Sequence, residues 1–227
     1  MTLRLKAPPG GRLPPEQAEH GLQDRISMLV RSPLALYAAV ALILNLAFAQ
    51  VEASFVLVLR DYLGFGARET GWLFTYVGVC IVLVQAVLIR HIVKRVGEVG
   101  TMGVGSLLLI AGHALTVLAV VGLLPGENYP LVQTVIATTA ICFGFALASP
   151  ALSSAASKIA GSSSRGGSLG VVQGFASLGQ VIGLVVAGPF YDLGGTQYPF
   201  AFGVVVMIGL LLLLPWLAKP EGSEDAS

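Results

Sequence analysis

A few polar side chains interrupt long apolar stretches of this chain, and they are the residues best placed to do chemistry. Asn45 and Glu52 are seven residues apart, so a helix would present them on nearly the same side. Gln173, Ser177 and Gln180 likewise share a helix face, at steps of four and three. A carboxyl group such as Glu52, partly desolvated within hydrocarbon, is the kind of group that carries protons or contacts a polar substrate. The alternative is structural: pairing near the surface with Arg60, or capping of a neighbouring helix.

The sequence lacks the motifs of an enzyme. It contains no HExxH motif, phosphate-binding loop or cluster of metal ligands. The nearest match to an intramembrane serine protease, Gly166-Gly167-Ser168-Leu169-Gly170, has its residues in the wrong order. We therefore expect no catalysis, no cofactor and no metal. The two cysteines, Cys80 and Cys142, fall in apolar stretches and are interpreted as small packing residues.

The composition is that of a membrane protein. Hydrophobic residues make up 55% of the 227 residues and charged residues 11%, and the mean hydropathy is +0.83. About 20 residues of helix cross the hydrocarbon of a bilayer, and six apolar stretches reach that length. They predict an all-α protein with six transmembrane helices, near 34–58, 71–92, 101–124, 130–149, 168–190 and 197–218.

The basic residues predict the orientation of these helices. Eleven of the 13 Lys and Arg residues fall on one side, and only Arg60 and Arg68 fall on the other. Because basic residues near helix ends are retained in the cytoplasm, both termini are expected inside. A net charge of +1, without a basic stripe, gives no indication of nucleic-acid binding. The eleven are Arg4, Lys6, Arg12, Arg25, Arg31, Arg90, Lys94, Arg95, Lys158, Arg165 and Lys219.

Three regions are expected along the chain. Residues 1–32 form a cytoplasmic arm and linker helix, rich in proline at its start and without the apolar core of a signal peptide. Residues 33–218 form the transmembrane bundle, and residues 219–227 form a cytoplasmic tail. Within the bundle, the Ser-, Ala- and Gly-rich segment 153–167 is expected to be a flexible hinge between two helical hairpins.

The fifth helix has an unusual series of glycines. Small residues allow helix backbones to approach closely in lipid, so close packing is one interpretation of the series. A seam that bends during function is the other. The series is Gly170, Gly174, Gly179, Gly183 and Gly188, followed by Pro189.

Several stretches together resemble the C-terminal six-helix half of major facilitator superfamily transporters, especially drug-efflux members. They include Asp61-Tyr62-Leu63-Gly64, Glu69-Thr70-Gly71, Ser149-Pro150 and Tyr198-Pro199-Phe200. The segment 90–98 is similar to the basic cytoplasmic loop of the family, in which Arg95 and Gly97 fit the pattern, while Lys94 stands at the usual acidic position. The resemblance covers about residues 30–218.

The resemblance implies a set of functional residues. In such a half, the first, second, fourth and fifth helices surround the central cavity, whereas His113 of the third helix would be a peripheral packing residue rather than a proton relay. Hydrogen bonding between helices is an alternative role for each polar candidate. The expected pathway residues are Asn45, Glu52, Gln85, Thr138, Gln173 and Gln180, and the expected gating-loop residues are Arg90, Lys94, Arg95 and Gly97.

The expected function is secondary active transport in a lipid bilayer, as proton-linked efflux of small molecules by alternating access, in a bacterial inner membrane. Because two bundles enclose the site in that mechanism, this chain would need a second one. A homodimer or a separate N-terminal half would supply it. The alternative is a truncated or split-gene product that does not transport, or a membrane interaction subunit.

Overall fold

The computed structural model describes residues 33–124, 129–159 and 161–218, and they fold into a bundle of helices. The predicted arm 1–32 and tail 219–227 lie outside these residues. The helices are α1 (Pro33–Leu63), α2 (Ala67–Leu83), α3 (Ile89–Val120), α4 (Pro130–Ile159), α5 (Gly161–Gly194) and α6 (Gln197–Ala218), with a π-helical turn, Val84–Leu88, joining α2 to α3.

Long apolar helices account for nearly all of the described chain. Among the described residues, five uninterrupted helical segments are long and apolar enough to cross a membrane, and one of them, Ala67–Val120, has 54 residues. The prediction of an all-helical, multi-pass membrane protein is therefore confirmed. The count of six spans and the cytoplasmic position of both termini stay predictions.

Helix α1 lies at the centre of the bundle, where it packs against α4, α5 and α6. Its apolar stretch buries Leu44, Ala47, Val58 and Leu59 almost completely. By contrast, α2 buries only Leu73 and Cys80 of its 17 residues. Since α2 is as apolar as a membrane span must be, its exposed face is suited to lipid or to another protein.

Glycines bring α3 and α4 into backbone contact. A Cβ atom at Gly105 would lie 2.6 Å from the carbonyl oxygen of Gly144, and one at Gly112 would lie 2.8 Å from that of Ala137. Because residue numbers rise along one helix as they fall along the other, α3 and α4 are antiparallel. Close approach of this kind allows the van der Waals packing that contributes to helix association in lipid, where no hydrophobic force joins helices.

The chain reverses direction near Gly97. Helix α2 runs parallel to α4, since Tyr76 contacts Thr139 and, further along, Val84 clusters with Ala146 and Leu147. The later part of α3 runs antiparallel to the same helix. Gly97 lies between the two at φ 72° and ψ −179°, a conformation that is accessible to glycine but strained for other residues.

The predicted hinge at 153–167 is wrong. Helix α4 continues to Ile159 and α5 begins at Gly161, so nearly all of that segment is helical. Ala155 and Ala156 are buried in the core, and this packing favours the helix over the flexible loop that the composition indicated. The C-terminal end of α5 also differs from the prediction, since α5 extends to Gly194 rather than to residue 190.

Candidate functional site

A cavity of about 240 Å³ opens between α1, α2 and α4. Its walls are almost entirely apolar, and Glu52 is the one charged side chain among the described residues that line it. Ligand pockets typically combine an apolar wall with a few polar groups that orient the ligand. The lining consists of Phe48, Val51, Glu52, Phe55, Phe74, Val77, Ile81, Thr138, Ile141 and Cys142.

Glu52 connects this cavity to α5. Its carboxylate accepts a hydrogen bond of 2.8 Å from the side-chain amide of Gln180, and both side chains are exposed on the same side of the bundle. The alternative partner, Arg60, instead pairs with Asp61 at 3.2 Å. The structure thus brings together two of the predicted pathway residues from separate helices, one of them acidic.

Aromatic side chains shape the apolar wall. Phe48 stacks on Phe145 of α4, with ring centroids 3.8 Å apart, and Phe55 meets Phe74 of α2 edge to face at 5.8 Å. Such pairs hold flat, rigid surfaces at defined positions. The cavity therefore presents ring faces and edges close to a single carboxylate, an arrangement suited to an apolar ligand with a cationic or hydrogen-bond-donating group.

The other predicted pathway residues are dispersed. Thr138 is buried and lines the cavity beside Cys142. Asn45 donates to the carbonyl of Ala41 in its own helix at 2.8 Å, Gln85 is exposed in the π-helical turn, and Gln173 is exposed on α5. None of these three belongs to the cavity lining.

The glycines of α5 divide into two groups. A Cβ atom at Gly179 would lie 2.8 Å from the carbonyl carbon of Leu42, and one at Gly183 would lie 2.7 Å from the carbonyl oxygen of Leu46, so these two face α1. A Cβ atom at Gly170, Gly174 or Gly188 would have no other atom within 4 Å. Pro189 is exposed and lies within the helix.

The predicted gating loop is held to α4 by its acidic residue. Lys158 forms an ion pair with Glu98, and Ser154 donates to the same carboxylate at 3.4 Å. The predicted loop is helical in the structure except at Gly97, and beside that turn, in the polar segment between the apolar stretches, the hydrogen bond from Lys158 lowers the pKa of the Glu98 carboxyl. Lys94 and Arg95 are exposed, and Arg90 bonds the carbonyl of Ala86 at 3.0 Å.

Sequence reasoning missed Gln50, which is fully buried in α1. Its amide donates to the carbonyl oxygen of Gly183 at 2.9 Å, and Gly183 is one of the two glycines of α5 that face α1. A glutamine within an apolar run was a signal that could have identified it. The cavity-lining phenylalanines had no such signal, because nothing in the sequence distinguishes them from core residues.

Comparisons with known proteins agree with this architecture. A family model described as "Major Facilitator Superfamily" matches residues 38–227. Multidrug resistance protein 1 of Bacillus subtilis (strain 168) is 27% identical over 180 residues, which are 79% of this chain and 43% of the relative. Multidrug resistance protein 2 of the same organism is 29% identical over 169 residues, or 74% and 40%. The chain thus spans less than half the length of these relatives. With most of its length matched by the family model, the chain belongs to the Major Facilitator Superfamily.

Proposed function

We propose that this chain is one six-helix bundle of a proton-linked transporter that exports small, largely apolar molecules across a bacterial inner membrane by alternating access. The observation that carries the proposal is Glu52, an acidic side chain at an apolar cavity within a membrane span. Ionisable residues within membrane spans are costly, and they mark substrate or ion pathways when they face a cavity. The names of the two multidrug resistance relatives agree with export of small molecules.

The bond between Glu52 and Gln180 suggests how proton and substrate would be linked. An ionised carboxylate accepts the amide hydrogen of Gln180 and attracts a cationic or hydrogen-bond-donating ligand. Protonation of Glu52 removes the charge and weakens both interactions. A proton that arrives from one side of the membrane would therefore displace a ligand bound at the cavity wall. Exchange of a proton for a ligand requires such competition.

A second bundle would close the site. Gln173, Ser177 and Gln180 are exposed along one face of α5, and three of its glycines have open space beside them. Polar groups in a membrane span face protein or water rather than lipid, so this face requires a cover. A second copy of this chain or a separate N-terminal half would provide it, and the cavity of about 240 Å³ would then be one wall of a larger site.

Vesicle transport tests the proposal. The molecular mass of the purified chain is measured in detergent. The chain is then reconstituted into vesicles with a pH gradient across the membrane, and a fluorescent lipophilic cation serves as the substrate. We expect a dimeric or larger mass and dye movement that depends on the gradient. Glu52→Gln should abolish that movement, whereas Asp192→Asn, at the exposed outer end of α5, should preserve it.

Two results contradict the proposal. A strictly monomeric chain without gradient-dependent flux would support the alternative of a non-transporting product or interaction subunit. Flux that is equal in the Glu52→Gln variant and the parent would remove Glu52 from the pathway. Tryptophan fluorescence and helical content, measured on both variants, show whether each is folded.

A further inference from the structure

His113 occupies a fully buried position where three helices meet. Its ring nitrogens face two backbone carbonyl oxygens: Nδ1 lies 2.8 Å from that of Leu109 in its own helix, and Nε2 lies 3.3 Å from that of Ala47 in α1. On the third side, a Cβ atom at Gly203 of α6 would lie 2.6 Å from Nε2, and Phe200 packs at a ring-centroid distance of 5.8 Å. The imidazole therefore fills a slot that a larger residue at position 203 would close.

The hydrogen-bonding chemistry of this slot depends on the proton count of the ring. Carbonyl oxygens only accept, and a neutral imidazole has a single N–H. The neutral ring can therefore donate to the carbonyl of Leu109 or to that of Ala47 but not to both. A second proton would complete the other hydrogen bond, but it would place a positive charge in the core.

The packed slot offers that charge no counter-ion among the described residues. The charged side chains of the helices around the slot have partners elsewhere: Glu52 of α1 bonds Gln180, Arg60 of α1 pairs with Asp61, and Lys158 of α4 pairs with Glu98 of α3. Tyr198, the titratable residue of α6, is exposed. Cys142 of α4 lines the cavity near Glu52. Transfer of an unpaired cation from water into such a site is unfavourable, and two carbonyls only reduce that penalty.

We propose that His113 is a proton-sensing residue: its neutral form holds α1, α3 and α6 together, and its protonation loosens this contact. Protonation requires water to reach the ring, and the packed slot excludes water because the side chain is fully buried. The neutral side chain thus contributes stability at neutral pH, and this contribution is lost as the pH falls below the ordinary histidine value of about 6.5. The linkage holds whether or not the chain transports.

Stability of the purified protein in detergent, measured from pH 8 to pH 5, tests the inference. In the parent, uptake of this one proton should raise the unfolding equilibrium constant by up to about tenfold for each pH unit of acidification below about pH 6. His113→Gln, a neutral side chain that keeps one amide donor, should remove that part of the pH dependence. His91→Gln is the matched control, because exposed His91 makes the same contact with a carbonyl four residues earlier, that of Val87 at 2.8 Å.

Two further measurements keep the inference testable if His113→Gln folds poorly. Hydrogen exchange in the parent should accelerate on acidification around residues 44–50 and 200–206, and the nitrogen chemical shifts of labelled His113 should report a single N–H at neutral pH. Identical pH profiles in the parent and in His113→Gln would overturn the inference. So would a His113 ring that is doubly protonated at pH 8. Both readouts are independent of dye transport, so failure here and failure of the proposed transport are distinguishable.

Discussion

The substitution Gly179→Ala tests whether the backbones of α1 and α5 are in close contact. The added methyl carbon would lie 2.8 Å from the carbonyl carbon of Leu42 and 2.9 Å from its Cα, closer than van der Waals contact permits. These are backbone atoms, so relief requires the two helices to separate. Overpacking costs about 1–3 kcal/mol, and a rigid backbone neighbour places this site near the upper end.

Alanine also stabilises a helix relative to glycine by about 1 kcal/mol, so the net loss should be roughly 2 kcal/mol. For a chain of this size, that corresponds to a thermal midpoint roughly 4–8 °C lower. Gly174→Ala, on the same helix with nothing within 4 Å, is the control and should leave the midpoint unchanged or raise it. Thermal unfolding of both variants in one detergent measures the difference. A Gly179→Ala protein as stable as Gly174→Ala would refute close packing of α1 on α5.

Two further predictions concern polar contacts between helices. Gln50→Leu should lower stability by less than about 1 kcal/mol, measured by thermal unfolding, because it removes the hydrogen bond to the carbonyl of Gly183 together with a buried amide oxygen that has no partner among the described residues. Lys158→Ala should cost less than about 1 kcal/mol, since the lysine is 66% exposed, and the loss should shrink as salt is added. Because Lys158 lowers the pKa of Glu98, the pair contributes above the ordinary glutamate pKa and its effect disappears on acidification below it. A Lys158→Ala effect that is unchanged by salt and by acid would contradict the ion pair.

The sequence predicted the helical membrane fold well because hydrophobic length is a property of local segments. Helix ends were less predictable, since Ala155 and Ala156 are buried by packing that composition alone does not reveal. Polar residues in apolar runs indicated Glu52, Thr138 and Gln180, which the structure places at or beside one cavity. The same signal also selected Asn45, which bonds its own helix, because azimuth on one helix says nothing about which neighbour lies opposite.

We infer six membrane crossings from the directions of the helices, although the described residues contain five uninterrupted apolar segments. A straight helix of 54 residues would be about 80 Å long, nearly three times the thickness of the hydrocarbon layer. Segment Ala67–Val120 is not straight, since its part before Gly97 runs parallel to α4 and its part after Gly97 runs antiparallel.

Contacts at the two ends of the bundle agree with this path. Tyr62, at the end of α1, donates to Gln133 at the start of α4, and Asp61 accepts from Tyr191 near the end of α5. These residues therefore share one side of the bundle, and Glu98 and Lys158 meet at the opposite end. We infer that the chain crosses the membrane once between Leu63 and Gly97 and returns before α4 begins. We infer that Gly97 marks the turn between the second and third spans, on the side where the basic loop 90–98 predicts the cytoplasm.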